Sequence, residues 1–141
     1  MQSLEKNLWG TFKTNLDKHR GTRAHYQRIE TGGTGLGIPD VNIKVDGCEE
    51  TWIELKVVQG LRVALRPEQV VWHVRRARAG GSSWVLAREK KNGPRVGTVD
   101  RLYVWPGRVA QEIAAQGVAC PGAAVFNAPF DWGAVLLAMR L

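Results

Sequence analysis

Two short segments with alternating apolar and polar residues restrict this chain more than any other feature of its sequence. In segment 41–45 the apolar residues alternate with Asn42 and Lys44, and segment 52–58 has the same two-residue period. Segment 46–50 between them has the composition of a turn. Because strand residues two apart point to the same face, the pattern predicts two neighbouring strands with one apolar and one polar face.

The polar face of this strand pair gathers three charged side chains. If Val45 pairs with Thr51, Asp40 lies opposite Lys56, whereas a shift of two residues places Asp40 opposite Glu54. Either register brings two carboxylates and one ammonium within a few ångströms of one another. A shift of one residue would bury these charges among apolar side chains, which the hydrophobic pattern forbids.

This set of charges suits phosphodiester chemistry. Two carboxylates repel each other unless a cation lies between them, and hard oxygen ligands favour Mg²⁺ or Mn²⁺. A lysine can hold a water molecule or stabilise charge that develops on a phosphoryl group. Together they are what metal-assisted hydrolysis of a phosphodiester needs. A Glu-x-Lys pattern by itself is more often part of an exposed ladder of weak surface ion pairs.

The remaining pattern predicts an α/β or α+β sandwich around a mixed sheet, in the order α-β-β-β-α-β-β-α-α. Residues 3–18 predict a helix with Ser3 as its N-cap, and residues 67–79 predict a second helix that Pro67 opens and a glycine pair ends. The further elements are strands over 25–30, 83–89 and 98–105 and short helices over 108–116 and 131–141.

Length and composition bound the class of protein. A chain of 141 residues with 44% hydrophobic residues predicts one domain over 1–141, with its core over about 3–105 and a helical extension over about 106–141. No apolar run reaches the ~20 residues of a membrane span, and the first residues lack a signal-peptide pattern. Cys48 and Cys120 make no disulfide framework or zinc site. We expect a cytoplasmic protein, in the host cytoplasm if viral, with no membrane partner.

The charge is distributed unevenly along the chain. Residues 1–60 carry eight basic and eight acidic residues, whereas residues 61–141 carry twelve basic and five acidic ones, which is the whole net charge of +7. A local positive field rich in arginine suits phosphate groups. The candidate DNA-binding residues in and before the helix over 67–79 are Arg62, Arg66, Arg75, Arg76 and Arg78.

A glycine-rich segment over 31–39 precedes Asp40 but is no nucleotide-binding loop. No Gly-Lys-Ser/Thr follows it, and the next element is a strand rather than a helix, so no nucleotide cofactor is expected. Its glycines predict a flexible approach that lets a DNA backbone come close. Trp52 shares the face of Glu54 and could line a cleft, whereas His73 is predicted to lie on the solvated side of its helix.

In the order in which its motifs occur, the chain resembles the PD-(D/E)XK nuclease superfamily. The matching residues cover about 3–90 and are Gly37-Ile38-Pro39-Asp40, Glu54-Leu55-Lys56 and Pro67-Glu68-Gln69. Within the superfamily the chain is most similar to the virus-type replication-repair nucleases (VRR-NUC) and to Holliday-junction resolvases. The resemblance implies a restriction-endonuclease-like αβββαβ core, with a mixed central sheet flanked by helices.

The resemblance also implies roles for individual residues. Asp40 and Glu54 would bind Mg²⁺, or Mn²⁺ as its substitute, together with the main-chain carbonyl of Leu55. Lys56 would position or activate the attacking water, and Gln69 would face the same site from its helix. In these families a glutamate of the first helix often completes the metal site, and Glu5 occupies that place, although an acid in a first helical turn is favoured by the helix dipole anyway.

The expected function is therefore that of a Mg²⁺-dependent DNA endonuclease, structure-specific and similar to a Holliday-junction resolvase. A homodimer is implied because two-strand cleavage calls for two sites. Two alternatives remain open. One is a sequence-specific restriction-like or homing endonuclease, and the other is a basic nucleic-acid-binding module without catalytic activity.

Overall fold

A six-stranded mixed sheet with helices on both faces organises the chain. The computed structural model describes residues 3–30 and 37–141. The strands lie side by side in chain order; β3 and β4 are parallel, and every other neighbouring pair is antiparallel. The elements are α1 (Leu4–Arg20), β1 (Ala24–Arg28), β2 (Val41–Val45), β3 (Thr51–Val57), α2 (Pro67–Arg78), β4 (Ser82–Gly93), β5 (Gly97–Pro106), α3 (Ala110–Gln116), β6 (Ala124–Asn127) and α4 (Trp132–Ala138).

The predicted fold class is confirmed. The first six elements follow the order α1-β1-β2-β3-α2-β4, which is the restriction-endonuclease-like αβββαβ core. The predicted order is wrong near the end of the chain, where the strand β6 lies between α3 and α4. This strand was missed because it is only four residues long and pairs along one side only, with β5. In the part of the chain that is described, no helix has the length and apolar character that crossing a membrane requires.

One face of the sheet packs against α1 and α4. Ser3 caps α1 as predicted, accepting a hydrogen bond from the Lys6 backbone N–H at 3.2 Å. The fully buried side chains of this helix, Leu8, Phe12 and Leu16, pack in one cluster with the apolar residues of β2 and β3. The apolar alternation of these two strands therefore faces α1, which leaves their polar side chains on the opposite face.

That opposite face is covered by α2 and α3 over β4 and β5. The structure corrects one prediction here, because the residues that α2 buries on this face are the polar Gln69 and His73. Val71 is 53% exposed, and His73, predicted to be solvated, is fully buried. The apolar-stripe rule assumes an apolar surface beneath the helix. The sheet face beneath α2 instead carries the polar side chains of β3.

The register of β2 and β3 follows the second of the two predicted alternatives. Val41 pairs with Ile53 and Ile43 with Thr51, a register that continues to Asp40 opposite Glu54. The pairing stops at Ile43 because the connection is longer than a five-residue turn. Within it, Lys44 Nζ donates to the carbonyls of Val45 and Cys48.

Gly37 holds the segment before Asp40 against the first turn of α2. Its φ is +78°, and a Cβ atom there would lie 2.1 Å from the Glu68 carbonyl oxygen. Gly37→Ala should therefore lower the free energy of unfolding by about 2–4 kcal/mol, from left-handed strain plus the clash. Gly47→Ala is the matched control, since Gly47 has a φ of +80° and a Cβ atom there would have no neighbouring atom within 4 Å. Urea denaturation should show a loss of only about 1 kcal/mol for that control. Equal losses would mean that the contact with α2 contributes nothing.

Candidate functional site

Asp40 is held in place at the start of β2 by groups from two other strands. Its Oδ2 accepts a hydrogen bond from the Leu55 backbone N–H at 2.8 Å, and its Oδ1 lies 3.6 Å from Arg28 Nη1. Arg28, at the end of β1, also lies over the Trp9 ring, with 5.8 Å between the guanidinium carbon and the ring centroid. Arg28 was not predicted, because its position depends on the β1–β2 register.

Glu54 is almost completely removed from solvent. It is 1% exposed, and its Oε1 has no hydrogen-bond partner among the described residues. Burial raises the pKa of this carboxyl from its ordinary value to about 10; the adjacent Asp40 carboxylate raises the pKa further, and Lys56 opposes the shift. In the metal-free protein Glu54 therefore favours its protonated form at neutral pH.

His73 lies directly beside Glu54. The His73 Nε2 is 3.8 Å from Glu54 Oε1, and its Nδ1 is 2.8 Å from Ser83 Oγ. Burial lowers the pKa of this histidine to about 4, so the ring is neutral at physiological pH. Gly107 makes room for this arrangement, since a Cβ at that position would lie 2.0 Å from Ser83 Oγ and 2.7 Å from His73 Nδ1.

Lys56 and Gln69 are joined by a hydrogen bond. Lys56 Nζ donates to Gln69 Oε1 at 3.0 Å, and the same oxygen accepts the Arg66 backbone N–H at 2.9 Å. Gln69 thus satisfies an N–H at the beginning of α2 and fixes the ammonium group with one atom. The i, i+4 spacing from Gln69 to His73 would have placed both residues on this buried face.

The two further predicted metal ligands are Glu5 and the main-chain carbonyl of Leu55. Glu5 is half-buried in the first turn of α1, and its charge adds to the rise in the Glu54 pKa. Over residues 3–30 and 37–141, no three His, Cys, Asp or Glu side chains are arranged to hold a metal ion. Leu55 contributes its N–H to Asp40, and its carbonyl as a ligand stays a prediction, as does the role of Glu5.

The predicted DNA-binding arginines divide into exposed and stacked side chains. Arg76 is half-buried, with its guanidinium carbon 4.6 Å from the Trp72 ring centroid and 5.6 Å from that of Trp52. The Trp52 ring therefore packs against α2 and Arg76 at the edge of this face. The other four are exposed or nearly so, namely Arg62, Arg66, Arg75 and Arg78.

The glycine-rich approach to Asp40 was predicted to be flexible. Its residues 31–36 lie outside the described residues, so that prediction stands without a structural account. Gly37 is the first described residue after them, and it packs against α2.

Together, fold and site define an α+β domain with a restriction-endonuclease-like core, which carries two carboxylates and a lysine on one sheet face. A solved structure similar to it is that of Archaeoglobus fulgidus Hjc, a Holliday junction resolvase from an archaeal hyperthermophile. The TM-score is 0.47 at 18% identity, over 71% of this chain and 78% of that chain. No protein-family model matches the chain, and the search of characterised sequences found no relative.

Proposed function

We propose that this chain is a divalent-metal-dependent deoxyribonuclease that hydrolyses phosphodiester bonds in branched or duplex DNA. The observation that carries the proposal is the buried Glu54 carboxyl beside Asp40. A carboxyl this far from water is costly unless it is paired, and Oε1 has no hydrogen-bond partner among the described residues. Buried carboxyl groups that carry this desolvation cost are typical of functional sites.

The donor set fits a hard divalent cation. Asp40 and Glu54 offer carboxylate oxygens, and the unpartnered Oε1 of Glu54 has its lone pairs free. Mg²⁺ and Mn²⁺ prefer such oxygens and retain several waters, so few protein ligands suffice. When bound, the cation would polarise the phosphate and lower the pKa of a water molecule. The Leu55 carbonyl and Glu5 are proposed as additional ligands.

Neighbouring residues of this chain would hold the reacting side chains in position. The Leu55 N–H and Arg28 fix the Asp40 carboxylate. Gln69 holds the Lys56 ammonium, so that a positive charge is preorganised where it can position a water molecule or stabilise charge on the phosphate. His73 packs beside Glu54 as a neutral ring and adds no competing charge.

DNA as the substrate is supported by the charge distribution. The net charge of +7 belongs entirely to residues 61–141, and Arg62, Arg66 and Arg75 are open to solvent around the helix that carries Gln69. In such a site the carboxylates would bind the metal, and the nearby guanidinium groups would bind neighbouring phosphates. A preference for branched DNA, and a homodimer with two sites, complete the proposal.

Cleavage assays on defined substrates test this function. Junction, flap, duplex and single-stranded DNA are incubated with the protein in Mg²⁺, Mn²⁺ or chelator. We expect cleavage with either metal and none in chelator. Asp40→Asn should abolish cleavage yet bind DNA at least as well as wild type, because one carboxylate no longer repels phosphate. Asp46→Asn is the matched control, since Asp46 is exposed in the turn after β2.

Two results would contradict the proposal. Cleavage that survives in chelator, or that Asp40→Asn performs at the wild-type rate, would remove the carboxylate pair from the chemistry. DNA binding without metal-dependent cleavage of any substrate would favour the basic binding module instead.

A further inference from the structure

The hairpin of β4 and β5 extends beyond the rest of the sheet. β3 pairs with β4 as far as Arg88, and β6 pairs with β5 as far as Arg101. Past these positions the two strands pair only with each other, out to Gly93 opposite Gly97. We call residues 90–99 the ribbon. At 3.3 Å per residue each of its strands extends for about 13 Å before the tip.

The ribbon is basic, and the acids at its base are already engaged. It contains Lys90, Lys91 and Arg95 and no acidic residue. The Glu89 carboxylate, 4% exposed, accepts the Tyr103 hydroxyl at 3.0 Å and lies 3.2 Å from Lys91 Nζ.

Asp100, the other acid at the base, accepts two hydrogen bonds from Arg88, at 3.0 and 2.9 Å, and these hold the pKa of Asp100 below its usual value. Within the described ranges, Lys90 and Arg95 form no ion pair, and both are exposed. The ion pairs at the base anchor the ribbon and leave positive charge toward its tip.

The ribbon continues the face that carries the candidate site. Because β3 and β4 are parallel and in register, Glu54 lies beside Val85 and Lys56 beside Ala87. Side chains two apart share a face, so Lys91 follows Ala87 on the side of Lys56. Nucleic acid with a phosphate at Asp40 and Glu54, extending past Lys56, would pass along the ribbon.

The chemistry of the ribbon favours nucleic acid over a protein partner. Its outward residues are polar or charged apart from the exposed Val96 at the tip. Lysines along the strands and Pro94 in the turn disfavour the addition of another strand. A two-stranded ribbon also has the width that the major groove of B-DNA admits.

We propose that the ribbon is a DNA-binding arm that contacts duplex phosphates about six to eight base pairs away from the scissile bond. The spacing follows from the position of Val85 beside Glu54, since Lys91 and the end of β4 at Gly93 lie about 20 and 26 Å further along the strand, and the rise is about 3.4 Å per base pair. Lysine and arginine contacts to phosphate carry no base information, so the arm contributes affinity for a duplex on one side of the site, whatever its sequence. This inference rests on the proposed function, because DNA must be the substrate.

A charge-matched pair of double variants tests the arm. Lys91→Gln with Arg95→Gln removes two ribbon charges, one on the side of Lys56 and one at the tip, and Lys13→Gln with Lys18→Gln removes two exposed charges of α1, on the other side of the sheet. Binding to duplexes of increasing arm length is measured in chelator by fluorescence anisotropy, over a range of salt concentrations. We expect the ribbon variant to bind about tenfold more weakly and its salt slope to fall by about 1.8.

Arm length provides the more specific readout. Wild type should gain affinity when one duplex arm grows past about six to eight base pairs, and the ribbon variant should not. A ribbon variant indistinguishable from the α1 variant in both measurements would overturn the proposal, even if wild type binds and cuts DNA. Wild type that binds no DNA would overturn the proposed function as well.

A shortened hairpin separates the arm from self-association. In this variant Asn-Gly replaces residues 91–99, which keeps both acids and their arginines at the base. We expect it to lose the arm-length dependence while its mass in solution equals that of wild type. A wild-type oligomer that falls to monomer in this variant would identify the ribbon as a contact between copies and overturn the DNA-binding proposal.

Discussion

Glu54→Gln should make the metal-free protein more stable while abolishing cleavage. The glutamine amide keeps nearly the same shape but carries no ionisable proton, and the carboxyl it replaces is 1% exposed with a pKa raised to about 10. At neutral pH the wild-type carboxyl is ionised in the unfolded chain and must take up a proton on folding. The variant avoids this cost, and it loses the carboxylate on which the proposed metal site depends.

The raised pKa of Glu54 determines how the stability difference between Glu54→Gln and wild type changes with pH. A pKa raised in the folded state contributes stability that is complete below the unfolded pKa of 4.5 and is lost progressively as pH rises toward about 10. The advantage of Glu54→Gln should therefore be close to zero at pH 4.5 and reach about 1–3 kcal/mol at pH 8. Urea denaturation in chelator at several pH values measures it, with the exposed Glu49→Gln as control.

Titration of His73 does not alter the stability difference between Glu54→Gln and wild type. The pKa of His73 is lowered to about 4, so the stability that the neutral ring contributes is lost as pH falls below the ordinary histidine value. This loss is common to both proteins. If Glu54→Gln proves less stable than wild type at pH 8, the glutamate charge supports the fold, and the argument for a functional carboxyl fails. Adding Mg²⁺ should stabilise wild type and leave the variant unchanged, because a bound ligand stabilises only the state that binds it.

The sequence determined which side chains share the site face, but not how they are aligned. The two-residue period of a strand is enough to place Asp40, Glu54 and Lys56 together, and the structure has this arrangement. Shifts by two residues preserve every face, so the pattern could not choose between the two registers. In the structure seven residues connect the paired Ile43 and Thr51, and Lys44 donates to two backbone carbonyls within this connection.

The buried residues that surround the site could not be predicted from local sequence pattern. His73 was wrongly predicted to be solvated because that prediction assumed an apolar surface beneath the helix. In the structure α2 packs onto a sheet face that carries Glu54. Ser83 and Gly107 reach His73 from β4 and from the turn after β5, and no local pattern connects residues so far apart. Gln69 was named as a candidate because the motif that suggested it is local.

Lys56→Ala should slow cleavage by about 10²–10³-fold and leave DNA affinity nearly unchanged. The ammonium is fixed by Gln69 at 3.0 Å beside the carboxylate pair, and loss of one preorganised charge of this kind typically costs that much in rate. Binding should survive because Lys56 is one of twenty Lys and Arg residues. The fold should survive because Gln69 still accepts the Arg66 N–H. Single-turnover cleavage and anisotropy measure the two effects separately.

A second readout separates a role in the chemistry from a role in packing. Lys56 opposes the rise in the Glu54 pKa, so its removal should make Glu54 harder to ionise. The residual activity of Lys56→Ala should therefore rise toward a higher pH than that of wild type, in Mg²⁺ at saturating DNA. Lys13→Ala, an exposed lysine of α1, is the control and should show neither the loss nor the displaced profile. A folded Lys56→Ala protein that cuts at the wild-type rate would exclude this lysine from the mechanism. An unmoved pH profile with reduced rate would mean that Lys56 acts on the substrate without affecting Glu54.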